Sequence, residues 1–263
     1  EKSNTITLGA VFTPEMLPGF VGSVDFYSID VTGAIASLGG GLGNVLNNCY
    51  YSVQNAGDEY CSAIHRSANG DLISGYVSTG NANLDKLKTH GIDFRAQYTF
   101  DIDWGLLSDT SSFDVSSAWT YVWNPGTSTA DQKKCVGAYG RTCGDPQPNW
   151  KGTTRVTWHT GPLSVSLRHR FIDSVELDTY KFNKSAGAVE ANYTRPVLPA
   201  MHYFDLSVGY DVNDNYSVSA GVENLFDKDP PITGSNASYA NTYPTTYDSL
   251  GQVFHINLTA KTN

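Results

Sequence analysis

Two histidine–carboxylate couples stand close enough in the chain for one group to orient the other as a general base: His169 with Asp173, and His202 with Asp205. A hydrolase built on either would also need an activated nucleophile, and the chain holds no G-x-S-x-G turn. No H-E-x-x-H sets two imidazoles on one helical face for zinc. The acidic run Asp227-Lys228-Asp229 lacks the spaced oxygens of a calcium loop and reads as a capped turn. Gly39-Gly40-Gly41-Leu42-Gly43 does not lead from a strand into a phosphate-binding helix. A loop with a short helical piece through Asn44–Asn48 is expected there. No catalytic residue, metal site or cofactor is therefore expected, and the histidines are read as hydrogen-bonded wall residues.

The cysteines offer different chemistry. Cys49 and Cys61 form one local pair, Cys135 and Cys143 another, both in segments rich in Gly, Asn and Tyr. Neither has the C-x-x-C spacing of a zinc or redox site. Two disulfides, each within its own loop, are expected, and they place the chain in an oxidising compartment.

The elements that carry these residues follow a period of two. Phe204, Leu206, Val208 and Tyr210 fall on one face of a strand, opposite Asp205, Ser207, Gly209 and Asp211. After Val212-Asn213-Asp214-Asn215 the alternation resumes with Tyr216, Val218, Ala220 and Val222, which makes a hairpin. The same unit recurs around His159-Thr160-Gly161-Pro162, around Asp101 to Gly105, and around Thr13 to Gly19. About nine antiparallel strands result. Their connections alternate in length: short near 14–19, 101–110, 159–162 and 212–215, long at 32–82, 125–148, 177–199 and 227–248. A soluble sandwich has no reason to keep every second loop long, whereas a membrane barrel has short turns on one side and long loops on the other. Both cysteine pairs fall in long loops.

Composition agrees. Charged residues are only 16% of the chain while aromatic residues are 12%, so an ordinary solvated surface is missing. No run approaches the ~20 apolar residues of a membrane helix; barrel strands need none. The net charge of −9 argues against nucleic acid and against docking on anionic lipid. Trp119, Tyr121, Trp123, Trp150 and Trp158 sit near strand ends, where barrels carry aromatic girdles. The opposite faces hold Asp25, Asp93, Arg95, Asp114, Arg155, Arg168, Arg170, Asp205 and Glu223, which suits a watery lumen.

Four motifs add a family resemblance. Asn224-Leu225-Phe226-Asp227-Lys228-Asp229-Pro230-Pro231, and then Asn241-Thr242-Tyr243-Pro244-Thr245-Thr246-Tyr247-Asp248-Ser249-Leu250-Gly251-Gln252, resemble the end of a TonB-dependent outer-membrane receptor. Leu87-Lys88-Thr89-His90-Gly91-Ile92-Asp93-Phe94 and the opening Glu1 to Gly9 are similar to two further strand segments of that family. The family usually ends on an aromatic residue, and here the sequence reads Ala260-Lys261-Thr262-Asn263.

The resemblance implies an all-β fold, an antiparallel transmembrane β-barrel wall over residues 1–263 that forms the last part of a barrel of about 22 strands. Nothing in the chain resembles the plug domain that fills such barrels. The implied partners are the remaining barrel strands and a plug, on the same or a separate polypeptide, a TonB-type energy-transducing protein reached through the plug, and outer-membrane lipid. The implied activity is uptake, across a Gram-negative outer membrane, of a scarce nutrient such as a siderophore, cobalamin or an oligosaccharide. A passive porin and a secreted β-rich adhesin stay open beside it. Tyr239, Tyr243 and Tyr247 are rings that could stack on a sugar or catecholate, or simply pack the loop.

Overall fold

The computed structural model describes residues 1–38, 41–47, 49–50, 57–128, 135–141, 143–234 and 241–261. In chain order the elements are β1 (Lys2–Phe12), β2 (Phe20–Ser37), α1 (Leu42–Asn47), α2 (Glu59–Ser62), β3 (Ile64–His65), β4 (Tyr76–Val77), β5 (Asn81–Ile102) and β6 (Ser111–Ser128). There follow β7 (Ala138–Gly140), β8 (Gly144–Gln147), β9 (Trp150–Thr160), β10 (Leu163–Ile172), β11 (Val175–Leu177), α3 (Asp178–Asn183), β12 (Val197–Leu198), β13 (Met201–Asn213), β14 (Tyr216–Glu223) and β15 (Val253–Ala260). Nine of the strands form one sheet in the order β1-β2-β5-β6-β9-β10-β13-β14-β15. Each neighbours the next in sequence apart from the short strands of the loops. This is the nine-strand meander that the alternation predicts. Among the described residues no helix is long and apolar enough to cross a membrane.

Register fixes which residues share a face. Ser116 lies opposite Arg155, Arg155 opposite Arg168, and Arg168 opposite Asp205. Val115, Val156, Leu167, Leu206 and Val222 form the matching apolar row. A slip of one residue would exchange the two sets completely, so the pattern that reveals the strands also locks their pairing. The apolar face stays uncovered: Leu8 is 73% exposed and Leu258 82%. Among the described residues of the second unit, none of the buried core clusters lies on this face.

The turns are built from the residue types that each geometry needs. Gly161 adopts φ 55° in the two-residue turn between β9 and β10, a region that costs glycine nothing. The side-chain oxygen of Asn213 accepts the N–H groups of Asn215 and Tyr216 at 2.9 and 3.0 Å, closing the next hairpin. At the opposite ends the strands outrun the hydropathy signal. β2 continues to Ser37, β5 begins at Asn81 and β6 reaches Ser128, so the loops expected at 32–82 and 125–148 are shorter than the alternation suggests. Ladder hydrogen bonds continue there where no apolar face need be kept.

Two aromatic belts ring the apolar face. At the short-turn end Tyr98, Phe100, Phe113, Trp158 and Trp104 stack in sequence with centroids 4.9 to 6.3 Å apart. Near the long-loop end Tyr121 meets Trp150 at 4.7 Å and Trp123 at 5.8 Å, and Trp119 meets Phe171 at 5.3 Å. Such contacts contribute about 0.5–1.5 kcal/mol each beyond their area. Trp150 and Trp158 mark the two belts on one strand, eight residues apart. That spacing is about 26 Å along the strand, or about 20 Å of height at a tilt of ~40°.

The long loops are folded. A four-stranded sheet runs β12-β11-β7-β8 and a small hairpin joins β3 to β4, neither of which the sequence pattern predicts. By internal contacts the chain forms two compact units, Glu1–Ile6 with Ser28–His90 and Asn124–Lys134, and Thr7–Tyr27 with Gly91–Trp123 and Cys135–Asn263.

Candidate functional site

On the inner face of the second unit, charge is concentrated around one buried carboxylate. Asp205 accepts from Arg168 Nε at 2.7 Å, from Arg170 Nε at 2.8 Å and Nη2 at 2.9 Å, and from the backbone N–H of Asn224 at 2.8 Å. Its side chain is 8% exposed, so these donors replace water. Arg170 turns the rest of its fork to Asp248, through Nη1 at 2.9 Å and a second short contact from Nη2, and lies over the Tyr203 ring at 5.0 Å. A wall carboxylate thus ties two wall arginines to the last long loop. Arg170 and Asp248 are 78 positions apart, and no local pattern announces that pairing.

The loop motif has its own chemistry. Asn224 and Asp227 adopt φ 52° and 50°, in the left-handed region that Asn and Asp tolerate best. The Asn224 amide brackets Lys228, accepting its N–H at 2.9 Å and donating to its C=O at 3.0 Å. Asp227 accepts the N–H of Gln252 at 2.9 Å. The expected capped turn at Asp227 is present, and among the described residues no cluster of metal-ligating side chains occurs.

Beyond the strand ends sits a loop layer with a buried core. Tyr139, Val175, Leu198, Met201, Tyr203, Tyr243 and Tyr247 pack together. Tyr139 meets Tyr243 edge-on at 5.9 Å and donates to the Arg195 carbonyl. Burial pushes the Tyr139 phenol up to about 12, with Tyr243 adding to the effect. Burial also raises Tyr243 and Tyr247. Asp178 is fully buried and accepts the N–H groups of Cys143 at 3.1 Å and Thr179 at 2.5 Å. Thr245 donates to Asp145 at 2.7 Å, fastening the last loop to β8.

The disulfides are as expected: Cys135–Cys143 with S–S 2.10 Å in this layer, and Cys49–Cys61 with S–S 2.11 Å in the other unit. The latter ties Cys49, which follows α1, to Cys61 in α2; nearby Arg66 donates to the Tyr50 hydroxyl at 2.5 Å and His65 stacks on Tyr76 at 4.4 Å.

The three loop tyrosines separate. Tyr243 and Tyr247 are only 3% and 2% exposed and belong to the buried loop core. Tyr239 lies outside the described residues. The histidine couples do not assemble. Asp205 is on the inner face, whereas His202 is on the apolar one, where its Nδ1 lies 2.9 Å from His169 Nε2. The two rings stack between Phe204 and Phe171. Asp173 instead accepts the N–H of Ser174 at 2.8 Å. His169 and His202 are thus paired with each other on the apolar face of the wall.

The family model described as "TonB dependent receptor-like, beta-barrel" matches residues 1–225. No curated protein matches the chain. Solved structures share the fold. A mutant of the ferric enterobactin receptor PfeA from Pseudomonas aeruginosa is 18% identical with a TM-score of 0.61, and the siderophore receptor PirA from Acinetobacter baumannii is 17% identical with a TM-score of 0.54. In both cases 98% of this chain is covered and 31% of the other. The chain therefore spans about a third of the length of these receptors, and at such identity the likeness concerns the fold. With nine antiparallel strands, one polar and one uncovered apolar face, and a family match over most of its length, this chain belongs to the TonB-dependent receptor β-barrel family.

Proposed function

We propose that this chain is a section of the wall and outer loops of an active transporter in a Gram-negative outer membrane. The transporter takes up a scarce nutrient such as a siderophore, cobalamin or an oligosaccharide, with energy delivered by a TonB-type protein through a plug domain. The observation that carries this reading is the polarity of the sheet. An uncovered apolar face between two aromatic belts is the pattern of the lipid-facing band of outer-membrane barrels, while the opposite face holds Arg and Asp. β1 and β15 are the two ends of the strand order. Bare edges in hydrocarbon leave backbone groups unsatisfied, so other barrel strands are the expected neighbours of both. The stapled loop layer beyond the belts is where a nutrient would first be met.

The test is uptake by cells that express the complete protein. Labelled siderophores, cobalamin and oligosaccharides are offered with and without a proton-motive force and a TonB-type protein. Accumulation of one of them that stops when either is removed supports the proposal. Energy-independent leakage of small solutes would assign a passive pore instead.

A further inference from the structure

The inner face carries a concavity of about 530 Å³ whose lining includes Arg95, Arg155 and Arg168 together with Gln97, Ser116 and Thr153, and includes no carboxylate. Arg155 and Arg168 are direct cross-strand partners, an arrangement of like charges that destabilises a sheet unless something offsets it. Only part of the offset is present. Arg168 is neutralised on its far side by Asp205 at 2.7 Å and Glu223 at 3.8 Å. Arg155 donates to the Ser166 hydroxyl at 2.9 Å, and neither Arg155 nor Arg95 makes an ion pair among the described residues. Open to water, such guanidinium groups are hydrated. Enclosed by other matter, each would need an acceptor, because an unpaired charge removed from water is costly.

We propose that this three-arginine concavity is a docking surface for Asp or Glu side chains on a polypeptide segment that fills the lumen. The proposal rests on the transporter reading, in which a plug occupies the barrel, and adds to it where on this wall the plug is held and by what chemistry. A guanidinium presents its donors as a planar fork that a carboxylate meets with two parallel hydrogen bonds. Gln97, Ser116 and Thr153 supply neutral hydrogen-bonding groups around that contact. The concavity shares Arg155 and Arg168 with a second one, lined by Asp205, Glu223 and His255. The two concavities therefore differ in charge, the one between β5 and β10 lined by arginines without a carboxylate and the one toward β15 mixed, and an acidic segment is directed to the first. Lumen-facing acids elsewhere on the wall, such as Asp114, already have partners: the His159 ring at 3.1 Å and the Thr99 hydroxyl at 2.6 Å.

The experiment uses the complete protein, purified in detergent, with p-benzoylphenylalanine at position 116 and, in a second preparation, at position 257 on inner-face β15. Light-induced crosslinks from position 116 should map to a lumen segment that carries Asp or Glu. In an Arg95→Gln, Arg155→Gln double variant, hydrogen exchange of that segment should accelerate about tenfold or more, and 1 M salt should produce part of the same effect in the parent. Arg155→Lys, which keeps the charge, separates charge loss from misfolding and should retain most of the protection. Crosslinks to a segment without acids, or unchanged exchange in a folded double variant, would overturn the docking proposal and leave the transporter reading intact. Loss of the position-116 crosslink in millimolar citrate, with exchange unaffected, would assign the concavity to a small anion and also overturn it. If neither position crosslinks to any lumen-filling polypeptide, the transporter reading falls with it.

Discussion

Leu206 and Val208 on the wall, and Val175 and Leu198 in the loop layer, are the same kinds of side chain under opposite constraints. The wall pair belongs to an uncovered face, with Val208 38% exposed, whereas Val175 and Leu198 are each 1% exposed. In the loop layer the hydrophobic effect operates within the chain, at about 25 cal/mol per Å² buried. On the wall it is left to the surroundings, and what the chain supplies internally is the hydrogen-bonded ladder, the register and the inner-face charge network. Wall and loop layer should therefore fail in different ways.

The largest failure is expected where the two regions are joined. Asp205→Ala removes the acceptor shared by Arg168, Arg170 and Asn224 and leaves two guanidinium groups facing each other across the gap. Breaking a buried pair of this kind costs about 3–5 kcal/mol. Reversible urea unfolding in micelles should show that loss. Hydrogen exchange should show that the last loop, around Asp248, opens together with the ends of β10 and β13. A cost below 1 kcal/mol would mean that the loop is held by its tyrosine core and its other hydrogen bonds, such as Thr245 to Asp145, rather than by Asp205.

A second substitution sets the two faces of one hairpin against each other. Leu206→Arg, between the belts on the apolar face, should cost roughly 2–4 kcal/mol in a bilayer. Ser219→Arg, on the inner face of β14, should stay within about 0.5 kcal/mol. Equal costs would defeat the assignment of the apolar face to lipid. Removing a staple should act more locally. The Cys135→Ser, Cys143→Ser variant should lower loop-layer stability by about 2–3 kcal/mol, read as faster exchange in β7 and β8, with protection in β9 and β13 unchanged.

How much of this is legible in the sequence follows the same division. The wall repeats a two-residue pattern over long strands, and each strand finds its partner across a turn or the next loop, so nine strands, their faces and the alternation of loop lengths can be read directly. The loop layer has no period. Its contacts join distant positions, as Thr245 does with Asp145 at a separation of 100, and its strands run only two to four residues, too short for alternation to register. The cysteine pairs are legible because they are local. Tyr243 and Tyr247 are legible as aromatic residues but not as buried ones, since burial depends on β7 and β11 closing over them. The arginine row has the same character: Arg155 and Arg168 are each visible as inner-face charges, but that they oppose one another is a matter of register.

The smallest expected effect is one of alkaline pH, and it should fall on the loop layer alone. Tyr139 is held at about 12, chiefly by burial, against about 10 for an exposed phenol, and Tyr243 and Tyr247 are raised in the same direction. A phenol raised in the folded state holds its proton more tightly than in the unfolded chain. Its contribution is therefore complete below about pH 10 and is lost as pH climbs toward 12. The loop layer should be insensitive to these groups through the neutral range and loosen in that alkaline window, seen as tyrosinate absorbance that rises together with exposure of the layer. Tyr139→Phe has no proton to lose. It should forgo the hydrogen bond to the Arg195 carbonyl, about 1 kcal/mol, at every pH, yet show a shallower alkaline decline than the parent. If parent and variant decline in parallel, Tyr139 is not what couples this layer to pH, and the alkaline response belongs to the other phenols of its core.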